Sequence, residues 1–284
     1  MSLSLSDQIL RQAPAEVSHA VDARWLMAFA AGLDDENPAR FDTRVGLTAH
    51  PLFPVCLEWP AVLALREGPA AGLTGEVRAR AVHAEHDLAL YQPIRPGQTL
   101  TSIARVVALQ QRSPGTLLTT RIDTRDAAGQ LLCSTWNGTI FRGVTLRGPE
   151  QFLETPPAPP PVGATPAHYL PLPVPAGAAH RYTECARIYN PIHTDIAAAQ
   201  AAGLERIILH GTATLGRAVS RLMASDLDAA RRITRVYCRF AAPVHMPETL
   251  VLRVAEHVDN GLAFSVWSSG GHEVLSRGYI GCAP

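Results

Sequence analysis

The sequence predicts an α+β fold made of two tandem units, each an antiparallel sheet wrapped around a central helix. In both halves of the chain, an apolar helical stretch is followed by runs of β-branched residues separated by turn residues, a pattern typical of antiparallel sheets. The halves also repeat one order of motifs at a similar spacing. Asn37 precedes Pro93 by 56 residues, and Asn190 precedes Pro243 by 53. Such internal similarity indicates a repeated unit.

The first half contains apolar residues at helical spacing over 17–33 and again over 55–67, where a core helix is predicted. Strands are predicted after it at 83–91, 93–100, 101–109, 116–124 and 131–141. Turn residues such as Ser113-Pro114-Gly115 separate them. We therefore expect an N-terminal unit over residues 1–150.

The second half repeats the strand pattern, with Asp259-Asn260-Gly261 as a hairpin turn. Its strands are predicted at 234–240, 251–257, 263–268 and 274–280. Between the halves, residues 155–175 hold nine of the 23 prolines, a composition that favours extended polyproline II over a packed element. We therefore expect a linker over 151–179 and a second unit over 180–284. Two such units bury both central helices if they share one continuous sheet.

Composition restricts the classes of partner. Hydrophobic residues make up 47% of the chain and charged residues 18%, which predicts a globular protein. Lys plus Arg equals Asp plus Glu at 25 each, and without a basic run no nucleic-acid partner is expected. No uncharged apolar stretch reaches the roughly 18 residues of a membrane span. The five scattered cysteines lack a C-x-x-C pair, so neither a metal site nor disulfides are indicated, and a cytoplasmic location is expected.

The stretch Tyr189-Asn190-Pro191-Ile192-His193 is the first candidate for chemistry. Proline removes a backbone donor and excludes the residue before it from the helical region, so this segment is a fixed bend. A short helix is predicted to follow, with Thr194 or Asp195 as its N-cap and Gly203 as its C-cap. The bend therefore holds the imidazole of His193 close to a helix start.

The second candidate is Ile208-Leu209-His210-Gly211-Thr212, which leads into an apolar helix over 212–223. The first N–H groups of a helix have no partner within it and lie at the positive end of its dipole. The N–H of Gly211 is therefore suited to stabilise a developing oxyanion.

The two segments together resemble the MaoC-like family of hot-dog-fold acyl-CoA hydratases and dehydratases, most strongly over 181–216. The resemblance implies a double hot-dog fold. It also implies interconversion of trans-2-enoyl and (R)-3-hydroxyacyl thioesters, without a metal or another cofactor. The implied catalytic residues are His193, Asn190 and Gly211, and we add His210, Thr212 and Tyr189 as substrate-binding residues. The implied partner is an acyl-CoA or acyl-carrier-protein thioester, and we expect a homodimer.

One family residue is missing. The family has an aspartate two positions before the asparagine, and that position is Ile188 in this chain. If 181–188 is extended, Glu184 lies about 13 Å from Ile188 along the strand and does not replace the aspartate. Asp195 is expected to cap the following helix. A carboxylate beside His193 is therefore not evident from the sequence.

The first half carries a partial copy of the same motif. Asp35 occupies the position of the missing aspartate, but Arg40 stands in place of His193 and Pro51 in place of Gly211. Proline has no N–H to offer an oxyanion. We therefore expect the first unit to be non-catalytic and to form a wall of the substrate pocket, with Asp35 facing a pocket separate from that of His193.

Three functions remain open at this stage. The leading hypothesis is a hydratase or dehydratase of acyl thioesters. Isoleucine at 188 can neither accept a proton nor orient water, which leaves a catalytically silent acyl-thioester-binding or scaffold protein as an alternative. A thioesterase on the same fold is the third. In each case the cluster Arg231, Arg232 and Arg235 is a candidate for binding the phosphates of CoA.

Overall fold

One antiparallel sheet runs through both halves of the chain. The computed structural model describes residues 3–68, 73–161, 165–225, 232–258 and 260–283. The strands in these ranges are β1 (Ser4–Ser6), β2 (Ala15–Ala20), β3 (Ala81–Leu90), β4 (Thr99–Arg112), β5 (Gly115–Asp126), β6 (Leu131–Arg142), β7 (Thr145–Arg147), β8 (Gln151–Phe152), β9 (Pro166–Val174), β10 (Ile233–Phe240), β11 (Glu248–Val258), β12 (Gly261–Trp267) and β13 (Glu273–Cys282). The helices are α1 (Ala23–Gly32), α2 (Pro54–Glu67), α3 (Gly75–Arg78), α4 (Ala178–Ala186), α5 (Ile196–Ala201) and α6 (Gly211–Ser225).

The order of strands displays the repeat. The large sheet runs β2-β4-β5-β6-β3-β10-β13-β12-β11-β9, with β8 paired to β4, while β1 and β7 form a separate parallel pair. Each half thus contributes the same sequence of strands, reversed about the junction of β3 and β10. The expected continuous sheet shared by two units is present.

The two long helices pack against this sheet and bury their apolar sides. Helix α2 contacts β2, β4 and β5, and α6 contacts β9 and β13. Leu57 of α2 and Leu215 of α6 are fully buried in one core that continues through both halves. Among the described residues, every helix is too short or too polar to traverse a lipid bilayer.

Charged contacts add to the junction between the halves. In the antiparallel register of β3 and β10, Asp87 lies opposite Tyr237, and Arg235 donates to both carboxylate oxygens of Asp87 at 2.8 and 2.6 Å. A second contact joins the halves through Arg217 of α6, which donates to Asp34 at 2.6 Å. Two-point arginine–carboxylate contacts fix orientation as well as distance, so the halves are held in one relative position.

Several predicted bounds were wrong. The helix expected over 17–33 begins only at Ala23, because Asp22 accepts from the N–H of Trp25 as its N-cap and Ala15–Ala20 pairs with β4. The strand expected over 93–100 is mostly loop, and β4 begins at Thr99. The hairpin turn at 259–261 includes Asp259, which lies outside the described residues.

The proline-rich segment also differs from its prediction. Within the expected linker over 151–179, Pro166–Val174 forms a strand that pairs with β11. This strand ends the path through the sheet, where proline is tolerated because one row of backbone groups needs no partner. The proline content alone favours polyproline II. It carries no information about a neighbouring strand such as β11, with which this segment can pair. The domain boundaries themselves stay a prediction.

Candidate active site

His193 lies at the end of a single 3-10 turn, Pro191–His193. The residue before the proline, Asn190, is extended with φ −124° and ψ 114°, as a following proline requires. Helix α5 follows, and the side chain of Asp195 caps it by accepting from the N–H of Ala197 at 2.9 Å. The predicted bend, the Asp195 N-cap and the short helix are therefore confirmed. The C-cap is Ala202 rather than the predicted Gly203, which follows it with a left-handed φ of +81°.

The ring of His193 is buried and its proton is placed by the backbone. Its Nδ1 lies 2.8 Å from the carbonyl oxygen of Ile208. A carbonyl only accepts, so the neutral ring carries its proton on Nδ1 and leaves the lone pair on Nε2. Burial lowers the pKa of His193 to about 4, against the opposing effect of the hydrogen bond to Ile208. At neutral pH the ring is therefore an uncharged base.

His210 forms the support of this ring. The imidazoles of His193 and His210 stack with centroids 3.7 Å apart. Nε2 of His210 lies 3.1 Å from the hydroxyl of Thr183 and 3.4 Å from the carbonyl of Ile188. Burial, with a further contribution from His193, holds the pKa of His210 well below its ordinary value. Two neutral rings thus lie face to face.

The predicted apolar helix is present as α6, but it begins at Gly211 rather than at 212 and continues to Ser225. A Cβ at Gly211 would lie 2.7 Å from Cδ1 and 2.8 Å from Cε1 of Phe240, so close packing against that ring favours glycine. The next residue, Thr212, accepts a hydrogen bond from the hydroxyl of Tyr182 at 3.0 Å. Because Gly211 follows His210, whose ring stacks on His193, the start of α6 lies next to both histidines.

Two predicted residues lie at the rim of this arrangement. Asn190 is half-buried and its side chain makes no capping hydrogen bond. Tyr189 is 59% exposed. Their roles toward a substrate stay predictions.

The segment before the bend is not extended as assumed. Residues 178–186 form α4, whose buried positions include Ala179, Tyr182, Thr183 and Ala186. It ends at Arg187, which has a left-handed φ of 57°, and Ile188 is buried. The estimate of 13 Å between Glu184 and Ile188 was therefore wrong. The spacing of these buried positions is helical and was the signal that could have located Tyr182 and Thr183.

The partial motif of the first half assembles a polar cluster of its own. The Asp35 Oδ2 atom lies 4.0 Å from Arg40 Nε and 4.0 Å from His50 Nε2. His50 accepts from the N–H of Leu52 on Nδ1 at 3.0 Å, and its Nε2 is 3.1 Å from the hydroxyl of Ser220 on α6. As predicted, Asp35 belongs to this second cluster.

Of the three arginines suggested for CoA phosphates, the two that the structure describes make hydrogen bonds within the protein. Arg235 is held by Asp87, as described above. Arg232 donates to the carbonyl of Tyr91 at 2.7 Å and lines a cavity beside Arg40. Arg231 lies outside the described residues. A phosphate-binding role for Arg235 would require breaking its ion pair with Asp87.

Known proteins resemble the chain over both halves. Residues 158–266 match the family described as MaoC like domain, and residues 10–135 match the FAS1-like, dehydratase domain region. The 3-hydroxyacyl-thioester dehydratase X of Mycobacterium tuberculosis is 29% identical over 225 residues, which cover 76% of this chain and 72% of that protein.

Solved structures agree on the fold. A MaoC-like dehydratase from Phytophthora capsici superposes with a TM-score of 0.85 at 23% identity, covering 98% of this chain and 97% of that one. A Mycobacterium tuberculosis protein described as having a double hotdog fold superposes with a TM-score of 0.62 at 15% identity, covering 96% of each chain. At these identities the likeness establishes the fold alone, and the predicted α+β double hot dog is confirmed. The chain thus has a double hot-dog fold, and its first half matches a FAS1-like dehydratase region while its second half matches a MaoC like domain.

Proposed function

We propose that the chain is a hydratase or dehydratase that interconverts a trans-2-enoyl thioester and a 3-hydroxyacyl thioester of CoA or acyl carrier protein. The observation that carries the proposal is the placement of His193. Its Nδ1–H is committed to Ile208, and its ring stacks on the residue that precedes the Gly211 N–H. Identity of 29% to a 3-hydroxyacyl-thioester dehydratase supports the same class of reaction.

In the proposed hydration, His193 acts first as base and then as acid. Nε2 takes a proton from water as the water oxygen bonds to C3 of the enoyl group. The electrons of the C2=C3 bond move to the thioester oxygen as an enolate, which the N–H of Gly211 stabilises. The imidazolium then returns the proton to C2, and the carbonyl reforms. One water is added, no net proton is released, and dehydration is the reverse.

In this proposal His193 performs both proton transfers, so the reaction does not need the family aspartate. Ile188 cannot transfer a proton, and Asp195 caps α5. The low pKa of His193, about 4, keeps the ring neutral at pH 7 and makes its protonated form a strong acid toward C2. Asn190, Thr212, Tyr189 and His210 are proposed to contact or orient the substrate around this group.

The buried Ile188 also favours a second candidate, a silent acyl-thioester-binding protein of the same fold. In that protein His193 would pack against the ligand without transferring a proton. A thioesterase remains the third candidate, in which water attacks the carbonyl and the thiol leaves.

The test uses the full chain with trans-2-enoyl-CoAs of short, medium and long acyl chains. Hydration removes the enone absorbance. His193→Ala should lower kcat/KM by at least about 100-fold, with circular dichroism unchanged. In the wild type, kcat/KM should fall only below about pH 4, because the neutral ring is the active form.

Each alternative has its own outcome. Calorimetric binding without an absorbance change would indicate the silent protein, and release of free thiol would indicate the thioesterase. Turnover of His193→Ala at the wild-type rate would contradict His193 as the group that carries the reaction.

A further inference from the structure

A cavity of about 230 Å³ lies beside the partial motif of the first half. Buried His50, Ile94 and Ile233 line its inner part, and exposed Asn37 and Arg232 lie at its edge. An engineered apolar cavity of about 150 Å³ accommodates benzene, so this one has room for a small organic molecule. It is bordered by both halves, since Met223 of α6 also lines it.

Arg40 presents unused donors to this cavity. Its Nη1 is anchored by the carbonyls of Thr48 and Ala49 at 3.1 and 2.9 Å and by the Thr48 hydroxyl at 3.0 Å. Its Nη2 has, among the described residues, the Met223 sulfur at 3.9 Å as its hydrogen-bond partner, and a thioether is a weak acceptor. Arg40 Nε is also buried, and among the described residues it has no hydrogen-bond partner. The anchored guanidinium thus retains capacity for a stronger acceptor.

The charged groups around the cavity favour a ligand that carries one negative charge. Arg40 and Arg232 are cationic. Asp35 lies 4.0 Å from Arg40 and offsets part of the positive charge of that arginine. His50 is neutral, because burial and the nearby Arg40 hold its pKa well below the ordinary value. Among the described residues that line the cavity, none has an acidic side chain. A buried positive group with unmet donors is stabilised by an acceptor that carries charge.

The rest of the lining is apolar. Leu90, Ile94, Met223 and Ile233 contribute hydrocarbon or thioether surface, together with three prolines. A dianionic phosphate would find too few donors against such a wall. A carboxylate attached to a short hydrocarbon chain matches both parts of the lining.

We propose that the first-half cavity is a second ligand site, which binds a small organic carboxylate with an apolar body between Arg40 and Arg232. The site is distinct from the arrangement around His193. Met223 and Gly211 lie on the same helix 12 residues apart, which corresponds to about 18 Å along the axis. The proposal therefore does not depend on the reaction proposed for His193.

The test follows the methyl signals of methionine by NMR in the full chain labelled with methyl-13C methionine. Met223 lines the cavity, whereas Met27 and Met246 do not, and Met223→Leu assigns its signal. Hexanoate is the probe, hexanamide is its neutral match, and inorganic phosphate is the comparison anion. Hexanoate should shift the Met223 signal saturably, and hexanamide should bind at least about tenfold more weakly.

Variants separate this site from others. Arg232 is exposed, so Arg232→Gln should leave the fold intact and weaken hexanoate binding at least about tenfold. Arg40→Gln should weaken it further if its loop folds. His193→Ala should bind hexanoate like the wild type, whether or not the chain hydrates enoyl thioesters. Equal binding of hexanamide, tighter binding of phosphate, an unmoved Met223 signal or an unaffected Arg232→Gln would each overturn the proposal.

Discussion

His193 and His210 stack face to face, with ring centroids 3.7 Å apart and planes inclined by 25°. Nδ1 of the first ring is tied to Ile208, and Nε2 of the second lies near Thr183 and Ile188. In the described part of the chain, backbone and hydroxyl groups rather than a carboxylate make the hydrogen bonds of both rings. The ring of His193 is thus oriented by the carbonyl of Ile208 and by its stacking on His210.

The stack predicts different effects for two substitutions of His210. Phenylalanine keeps a flat ring and loses the hydrogen bonds of Nε2, so His210→Phe should retain kcat/KM within about tenfold. Alanine removes the ring, and His210→Ala should lower kcat/KM about 100-fold, because small displacements of a catalytic group are costly.

The pH profile distinguishes support of the ring from a general loss of stability. Burial is the main cause of the low pKa of His193, so water admitted by His210→Ala should raise the acid limb of kcat/KM from about pH 4 toward 6.5. His210→Phe should leave that limb in place. Equal losses and identical limbs in both variants would contradict the supporting role of His210.

The close approach of Phe240 to Gly211 gives a second prediction. An added Cβ would lie 2.7 Å from the aromatic ring, and overpacking of this kind costs about 1–3 kcal/mol. Gly211→Ala should therefore lower the free energy of unfolding in urea by about that amount and reduce activity.

A second substitution, at Phe240, tests whether overpacking against this ring causes the effect of Gly211→Ala. Phe240→Val removes the δ and ε atoms in conflict, and the double variant should recover both stability and most of the activity, since alanine retains the backbone N–H. Phe240→Val alone is the matched control. Gly211→Ala at full wild-type stability would contradict the packing explanation, and a stable but inactive double variant would place the added methyl in the path of the substrate.

The sequence predicted the parts of the fold that depend on local chemistry. The Asn190-Pro191 bend and the Asp195 cap follow from backbone rules, and both are present. The helix predicted from residue 212 is present too, and it begins one residue earlier. The repeat predicted the shared sheet, because equal spacing of equal motifs constrains topology.

Contacts between distant segments were not predictable in this way. Thr183 meets His210 across 27 residues and His50 meets Ser220 across 170. No local pattern specifies such partners, since they depend on how whole elements pack. Strand β9 was missed for the same reason, because its proline content is compatible with a sheet only where the strand lies at the edge. The cavity beside Arg40 likewise arises from two halves meeting.

Glu58 gives the last prediction, on the dependence of stability on pH. It lies on α2, fully enclosed, and its Oε1 accepts a hydrogen bond from the hydroxyl of Thr135. Burial raises its pKa to about 7 from 4.5, against the opposing effect of that hydrogen bond. Between these values the folded state holds a proton that the unfolded state has lost. The stability contributed by Glu58 is therefore complete below pH 4.5 and is lost as pH rises through about 7.

Glu58→Gln keeps the shape of the protonated side chain and cannot ionise. Relative to the wild type, its free energy of unfolding in urea should gain about 3 kcal/mol between pH 4.5 and pH 8, since each unit of pKa shift corresponds to about 1.4 kcal/mol. Burial also lowers the pKa of His86 and His193 to about 4, and these groups change stability in the opposite direction over part of this range. They are present in both proteins, so the difference at each pH cancels their effect. A constant difference from pH 4.5 to 8 would mean that Glu58 titrates alike in the folded and unfolded states.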